Sequence, residues 1–336
     1  MPYRSFLSFF INLEKKIFSF KEFGAFLASI IVFAFLAFYI PDKFLNLRSI
    51  ESILILVTQR GILATAITFL LIAREIDLSI GSVYAFISML FAVLIANYKV
   101  NGWLALLIAL SVTIPIGFLN GILSTKLGIP SLIATIGTMM LWRGVVLGVW
   151  GAAPIAYGED LPVLTVMGGT FLGRASFNMS FIWLLIIGVM TWVLLEHTKF
   201  GNSVFATGSN PLAAKEMGIN TDRVKIMLFM LSSFTAGLSG IIQFGHLRIN
   251  APTAGEGLEL EVVAATVIGG TSLLGGVGSI PGAIIGAFLV AEIMVGIILA
   301  GISSYWYRTF VGVVLLTALL FNILSRRGLS YEHATS

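Results

Sequence analysis

Long apolar stretches, separated by short charged or turn-forming stretches, repeat along almost the whole of this 336-residue chain. A helix that crosses a bilayer needs about 20 mostly apolar residues. Reading each apolar run from one charge or turn signal to the next predicts an all-α membrane protein with about ten transmembrane helices. The predicted spans are 23–40, 50–72, 82–98, 103–125, 129–150, 178–196, 223–244, 259–273, 281–300 and 305–324.

Composition supports the same class. Hydrophobic residues make up 58% of the chain, charged residues 11%, and the mean hydropathy is +1.01. Soluble domains carry about 25% charged residues, so the composition excludes a soluble globular protein. The chain contains no cysteine, which excludes a disulfide framework and thiol chemistry. Its runs of lysine and arginine are too short to indicate a nucleic-acid partner.

The distribution of basic residues predicts the orientation. An even number of spans places both ends of the chain on the same side of the membrane. If that side is the cytoplasm, the inner loops carry roughly twice as many lysines and arginines as the outer loops, as the positive-inside rule requires. We therefore expect cytoplasmic termini, an amphipathic interfacial segment at 1–22, a transmembrane domain at 23–324 and a cytoplasmic tail at 325–336.

The inner loop 199–222 contains a predicted short helix. Asn210 is a favourable N-cap and Pro211 suits the first helical position. The residues "LAAKEM" favour a helix, and Gly218 can end it in the left-handed conformation. A two-turn helix is marginal in water by itself. The loop is therefore either a linker with one helical turn or a docking element for a cytoplasmic partner.

The segment "REIDLSIGSVYAF", which begins at Arg74, places charges at the inner end of the second span. We expect the small residues after them to break the helix and restart it, with Asp77 or Ser79 as the cap. These small residues are Ser79, Gly81 and Ser82. Two roles stay open: local capping with an Arg74–Asp77 pair, or a hinge near the inner gate of a transport pathway.

A second segment resembles the first. "IGSVYAFISML" starts at Ile80 and "VGSIPGAIIGAFLV" at Val277, where Gly278 and Ser279 precede an apolar run. Matching Gly- or Pro-interrupted apolar segments in two halves of a chain are typical of a transport pathway. The pattern indicates a weak internal repeat, although Gly-Ser pairs are common enough for chance similarity.

Three charged residues, Arg60, Arg143 and Glu292, fall inside predicted spans. A charge at the centre of a membrane helix costs at least about 2.5–3.5 kcal/mol, so each should face a cavity or a partner. They either line a pathway or hold helices together as buried polar contacts. Asn120, near the middle of another span, could bind a solute or hydrogen-bond to a neighbouring helix.

Three motifs resemble those of ribose-type sugar ABC transporter permeases. "GSNPLAAKEMGINTDRVKI" resembles the coupling-helix loop of that family, and "EIDLSIGSV" is similar to its Gly-Ile-Asp-Leu-Ser-Val-Gly-Ser signature. "ATVIGGTSLLGGVGSIPGAIIGA" resembles its late glycine-rich signature. The motifs occur in the family's order over roughly 50–322. Glu75 departs from the pattern, because the family usually has glycine there.

The resemblance implies a type II ABC importer permease fold, with two subunits around one pathway in the bacterial inner membrane. It implies import of a monosaccharide, such as a ribose-like pentose, a hexose or a related polyol, by alternating access. Carried over onto this chain, the coupling residues are Asn210, Pro211, Ala213, Ala214, Lys215, Glu216 and Gly218. Our candidates for the pathway or its gate are Arg60, Asp77, Ser79, Gly81, Ser82, Asn120, Arg143, Gly278, Ser279 and Glu292.

The resemblance also implies partners. They are an ABC ATPase subunit with two nucleotide-binding domains, a periplasmic sugar-binding protein and a second copy of this chain, with a related subunit as the alternative to that copy. The sequence has no G-x-x-x-x-G-K-[ST] motif, and we found no catalytic or metal-binding motif. We therefore expect no enzyme active site and no cofactor here, with ATP and Mg²⁺ held by the ATPase.

Two other functions stay open. A branched-chain amino-acid ABC permease shares the broader fold, although "IDLSIGS" favours the sugar branch. An ion-coupled secondary transporter that acts alone would use Glu292 or Asp77 as its ion site, and it would need no docking helix.

Overall fold

The computed structural model describes residues 22–170 and 178–317. These residues form mainly helices, together with one pair of two-residue strands. The elements are α1 (Phe23–Tyr39), α2 (Pro41–Phe44), α3 (Leu47–Ile72), α4 (Ile80–Ala96), α5 (Gly102–Thr125), α6 (Ser131–Trp150), β1 (Ile155–Ala156), α7 (Pro162–Gly168), α8 (Met179–Glu196), α9 (Lys199–Ser209), α10 (Pro211–Glu216), α11 (Thr221–Leu247), β2 (Ile249–Asn250), α12 (Leu258–Ile268), α13 (Ile280–Leu299), a 3₁₀ turn (Ser304–Trp306) and α14 (Tyr307–Thr317).

Six of these helices, α3, α5, α6, α8, α11 and α13, are long and apolar enough to cross a membrane. Three shorter apolar helices are α1, α4 and α14. The predicted span 259–273 contains the 11-residue helix α12, which carries two glutamates in its first turn. The class, an all-α multi-pass membrane protein, is confirmed, whereas the count of ten spans is not. Residues 1–21 of the predicted segment 1–22, the predicted tail 325–336 and the end of the last span lie outside the described residues.

Helix α11 lies at the centre and packs against α3, α4, α5 and α7. Glycines let α5 approach it closely, since a Cβ on Gly117 would lie 2.5 Å from the Met230 Cα. One turn further along α5, a Cβ on Gly121 would lie 2.8 Å from the Ile226 Cα. The spacing of these two glycines thus serves close helix packing, as small-xxx-small pairs do in membranes.

A second group of helices packs around α13, which contacts α1, α3 and α12. Gly282 and Gly286 bring α13 against the backbone of α12 near Gly269 and Ala265. Helix α6 is different, because only 22% of its apolar 18-residue stretch is buried within the described chain. A Cβ added to Gly144 or Gly148 on α6 would have no heavy atom of the described chain within 4 Å.

The two ends of the helical bundle differ. At one end, which we call the β end, Ile155 of β1 pairs with Asn250 of β2 in an antiparallel arrangement. This pairing joins the loops 151–177 and 245–258, which lie on the outer side if the predicted spans and cytoplasmic termini are correct. At the other end, which we call the α10 end, α9 and α10 connect α8 to α11. Two non-helical segments, 73–79 between α3 and α4 and 269–279 between α12 and α13, also reach this end. Arg74 of the first segment and Gly276 of the second contact Ser209, the last residue of α9.

Candidate functional site

Residues 73–79 form a non-helical segment between α3 and α4. Arg74 is left-handed, with φ of 61°, Ser79 already has helical backbone angles, and only 75–78 form an extended stretch between them. Its polar side chains alternate with apolar ones, and the polar ones turn towards α11. Glu75 forms an ion pair with Lys225. Two turns along α11, the Ser232 hydroxyl donates to Asp77 Oδ2 at 2.8 Å. The backbone N–H and the hydroxyl of Ser79 donate to Asp77 Oδ1, so three donors surround this fully buried carboxylate.

The backbone of the same segment is bound to α6. The N–H of Ile76 donates to Ser131 Oγ at 3.2 Å, and the N–H of Leu78 donates to Thr135 Oγ1 at 3.1 Å. Ser131 and Thr135 are four residues apart and therefore lie on one face of α6. These bonds satisfy backbone groups that would otherwise be costly to bury at membrane depth.

Asn120 of α5 completes this polar cluster. Its Nδ2 donates to Ser79 Oγ at 2.9 Å, and its side chain is fully buried. Within the described residues, its Oδ1 has no hydrogen-bond partner. An acceptor of this kind is unusual, because the large majority of buried side-chain polar atoms are hydrogen-bonded.

Two details of the predicted break are wrong. Gly81 and Ser82 lie inside the first turn of α4, which begins at Ile80, and therefore do not break the helix. The break is instead made by the extended residues before them. Arg74 does not pair with Asp77, since its Nη2 donates to the carbonyl oxygen of Ser209 at the end of α9. Ser79 occupies the N-cap position, but its side chain forms no capping bond.

Helix α4 begins deep within the bundle. Ser232, the partner of Asp77, lies about three turns from the start of α11, or about 16 Å at 1.5 Å per residue. The segment 73–79 therefore runs inwards from the α10 end, and α4 starts close to mid-depth. A discontinuous span of this kind is a recurring feature of transporter binding sites.

A second irregular segment, residues 251–257, reaches the same level from the β end. Arg143 of α6 holds it there, because Nη1 donates to the carbonyl oxygens of Pro252 at 2.7 Å and Ala254 at 3.0 Å. Its Nη2 donates to the Gly81 carbonyl oxygen at 3.3 Å. Arg143 therefore joins the first turn of α4 to the second irregular segment.

This junction is open on one side. Thr253 and Glu256 are exposed, Arg143 is partly exposed, and the Glu259 carboxylate lies against Gly81. Charged side chains and irregular backbone at membrane depth persist where they line a water-filled cavity or contact other protein. We take the junction of 77–82 with 251–257 as the candidate functional site.

The other two charged residues predicted inside spans, Arg60 and Glu292, form contacts away from this junction. Arg60 pairs with Glu261 of α12, with 2.6 Å between Nη2 and Oε2, and both side chains are largely buried. Glu292 is fully buried and accepts a hydrogen bond from the Ser29 hydroxyl of α1 at 3.2 Å. Arg60 and Glu292 thus bind other residues rather than each other. Both contacts hold neighbouring helices together.

The second break differs from the first. Ser279 is the N-cap of α13 and accepts from the Gly282 N–H at 3.3 Å, while its hydroxyl donates to Glu22. Gly278 and Ser279 precede their helix, whereas the matching Gly81 and Ser82 lie within theirs. The two similar motifs therefore occupy different positions relative to their helices.

The predicted short helix is present as α10. Asn210 Oδ1 accepts from the Ala213 N–H at 3.2 Å, Pro211 is the first helical residue, and Gly218 follows with φ of 84°. Ala214 is buried against the chain itself. The other predicted coupling residues of this helix, Ala213, Lys215 and Glu216, are exposed.

The predicted coupling residues left out two apolar side chains within the same segment. Leu212 of α10 and Met217, which directly follows α10, have exposed fractions of 74% and 83%. Sequence analysis also missed the partners Lys225, Ser232 and Glu261. The alternation in "EIDLSI" was an available signal for an extended segment, because a period of two is typical of extended backbone.

Comparison with known proteins identifies the family. Residues 49–319 match the family described as "Branched-chain amino acid transport system / permease component". The chain belongs to this permease family. It is 34% identical to the ribose import permease protein RbsC of Escherichia coli (strain K12) over 284 residues, covering 84% of this chain and 87% of the relative.

A second relative is the autoinducer 2 import system permease protein LsrC of Salmonella typhi. It is 33% identical over 303 residues, which cover 90% of this permease and 85% of the relative. No solved structure matches. The expected family is thus confirmed, and both relatives carry names of small-molecule import permeases.

Proposed function

We propose that this permease is the membrane subunit of an ABC importer for a monosaccharide. The observation that carries the proposal is its 34% identity to a ribose import permease over 84% of the chain. The name of the second relative, an autoinducer 2 permease, supports a small import substrate. The family description names branched-chain amino acids, but these two relatives favour the sugar alternative.

In this proposal, α10 is the docking helix for an ATPase subunit that binds ATP and Mg²⁺ and has two nucleotide-binding domains. Leu212 and Met217 support this role, because exposed apolar side chains on a short helix suit burial in a partner's groove. A six-residue helix gains little stability from its own backbone and needs such packing. The α10 end then faces the cytoplasm of a bacterial inner membrane.

The candidate functional site forms part of the translocation pathway in this proposal. A sugar presents hydroxyl groups that both donate and accept hydrogen bonds, which suits the exposed Thr253 and Glu256 beside Arg143. A second copy of the chain completes the pathway, and a periplasmic binding protein delivers the sugar at the β end. Movement of α10 with ATP would alternate access to the site.

The first prediction tests docking through the exposed side chains of α10. Replacing both Leu212 and Met217 with Asp puts two charges where a hydrophobic contact is expected. We expect a pull-down of the tagged chain from native membranes in mild detergent to lose the ATPase subunit, and sugar uptake to fall at least tenfold. Mass spectrometry of the recovered proteins measures the first effect, and uptake of radiolabelled ribose and other monosaccharides measures the second.

Tyr98→Asp is the matched control, because Tyr98 is 73% exposed and follows α4 towards the β end. It should leave the ATPase bound. A bulky residue at Ala214 would be a poor test, since this side chain is buried and its enlargement would disturb the chain itself. If the unmodified chain purifies without an ATPase and takes up solute with an ion gradient alone, the importer proposal is wrong. Glu292 and Asp77 would then be the candidates for the ion site of a secondary transporter.

A further inference from the structure

Two consecutive residues, Arg74 and Glu75, are bonded to the two chain segments that flank α10. Arg74 Nη2 donates to the carbonyl oxygen of Ser209, the last residue of α9, at 2.9 Å. Glu75 pairs with Lys225, in the first two turns of α11. Because α10 lies between Ser209 and α11, both of its connections are held at adjacent residues of the segment 73–79.

The Arg74–Ser209 bond is exposed, whereas the Glu75–Lys225 contact beside it is well packed. The side chains of Glu75 and Lys225 are only 11% and 21% exposed. Next to them, the Gly276 N–H donates to the Ile72 carbonyl oxygen at 2.8 Å, and Gly208 lies directly against that same oxygen. The absence of a side chain at Gly208 is therefore required for α9 to reach the end of α3. The region is a compact joint rather than a loose surface loop.

The extended segment leads from this joint to the candidate functional site. Only three residues separate Glu75 from Ser79, so a displacement of Glu75 is passed over a short distance to the start of α4. The far end is Ser79, which is bonded to Asp77 and Asn120 and is followed by α4. The first turn of α4 supplies the Gly81 carbonyl oxygen that binds Arg143.

We propose that Arg74 and Glu75 couple movement of α10 to the start of α4, acting as positioning residues rather than as part of the pathway. The inference rests on the proposed function, in which an ATPase moves α10. A displacement of α10 carries Ser209 and Lys225 with it, and the adjacent Arg74 and Glu75 pass it to the extended segment.

The test uses the complete complex with its ATPase and binding protein in proteoliposomes, and it measures sugar molecules imported per ATP hydrolysed. Glu75→Gln and Lys225→Met each remove one charge of the pair. We expect ATP hydrolysis within twofold of the unmodified complex and at least a fivefold fall in sugar imported per ATP. The charge-exchanged double variant, Glu75→Lys with Lys225→Glu, should restore the ratio to within twofold.

Lys99→Met is the matched control, because it removes a lysine from the exposed Lys99–Glu159 pair towards the β end. It should leave the ratio unchanged. The proposal is overturned if the single variants keep the unmodified ratio, or if they lose hydrolysis and import in equal proportion. If single variants fail to assemble, the charge-exchanged variant decides, and its failure to assemble or to import overturns the proposal.

A second measurement follows α4 directly. Since the chain has no cysteine and Ser82 is buried, labelling of a single Ser82→Cys by a thiol reagent reports movement that exposes the first turn of α4. ATP should change its labelling rate at least threefold in the otherwise unmodified complex and not in Glu75→Gln. Equal changes in both would overturn the proposal. An unmodified chain that binds no ATPase would instead refute the proposed function.

Discussion

At the scale of single residues, the Asp77 carboxylate is the centre of the polar cluster. It receives hydrogen bonds from the Ser79 N–H, the Ser79 hydroxyl and the Ser232 hydroxyl. It also lies just before the start of α4, where the helix dipole favours a negative charge. These donors compensate a charge that would otherwise be costly to bury. Asp77 therefore links the extended segment to α11.

The Asp77–Ser232 contact gives a stability prediction. A hydrogen bond to a charged group contributes about 1.5–3 kcal/mol, so Asp77→Ala and Ser232→Ala should each lower the melting temperature in detergent. Because both remove the same contact, we expect their combined effect to be about 1–2 kcal/mol smaller than the sum. A thermal-unfolding double-mutant cycle measures this coupling.

Ser111→Ala serves as the control partner in that cycle. The Ser111 hydroxyl is exposed and donates to the Ile108 carbonyl oxygen of its own helix. Its effect should add to that of Asp77→Ala within about 0.5 kcal/mol. Strict additivity of Asp77→Ala and Ser232→Ala would show that their contact contributes nothing.

At the scale of elements, close packing of helices depends on which glycine faces a neighbour. Gly117 of α5 faces the backbone of α11, whereas Gly144 of α6 faces open space in the described chain. Both belong to small-xxx-small pairs, Gly117 with Gly121 and Gly144 with Gly148. The sequence pattern is therefore the same for a glycine that is needed for packing within the chain and for one that is not.

Valine substitutions at these two glycines should separate the cases. Gly117→Val forces α5 away from α11, and overpacking of this kind typically costs about 1–3 kcal/mol. Gly144→Val has the same change in helix propensity but no such clash. We expect a lower melting temperature only for Gly117→Val, measured by size-exclusion chromatography of detergent-solubilised protein after heating. Equal losses would mean that the α5–α11 contact is not close.

At the scale of the whole molecule, α6 is a candidate contact with a second copy. It packs against α4 and α5, and much of its remaining surface is exposed. Arg143 places a partly exposed charge on the same helix. Such a charge would be unfavourable against lipid alone, which supports the proposed second subunit at this surface.

Cysteine cross-linking tests this arrangement cleanly, because the chain has no cysteine of its own. Single cysteines at Gly137, Gly144 or Gly148 should give a disulfide-linked dimer under mild oxidation at one or more positions. A disulfide requires Cα atoms within about 7 Å. Val189→Cys on α8, where valine is 57% exposed, should stay monomeric. Cross-linking at Val189 and at none of the three glycines would place the second copy elsewhere.

Much of the fold could be predicted from local patterns. The long apolar runs located the six long helices and the three shorter apolar ones, and Asn210, Pro211 and Gly218 defined α10. The exception among the predicted spans is 259–273, because hydropathy alone does not show that α12 ends at Ile268. Glycines follow α12 directly, so an apolar run there includes non-helical chain.

The contacts of the candidate site were beyond sequence analysis. Glu75 and Lys225 are 150 residues apart, and Arg60 and Glu261 are 201 residues apart. A helix turns by about 100° per residue, so an error of two residues in a boundary reverses the assigned face. Burial patterns of single helices therefore cannot determine which polar residues meet.

The sequence by itself determined the membrane class, the family and the position of the short helix α10. These depend on hydrophobic length, capping residues and short motifs, which are properties of neighbouring residues. Only the tertiary structure decided that 73–79 is not helical, that Arg143 joins the first turn of α4 to 251–257, and that Arg74 and Glu75 contact both sides of α10. These features depend on the depth and rotation of several helices at once, and packing of the whole chain sets both.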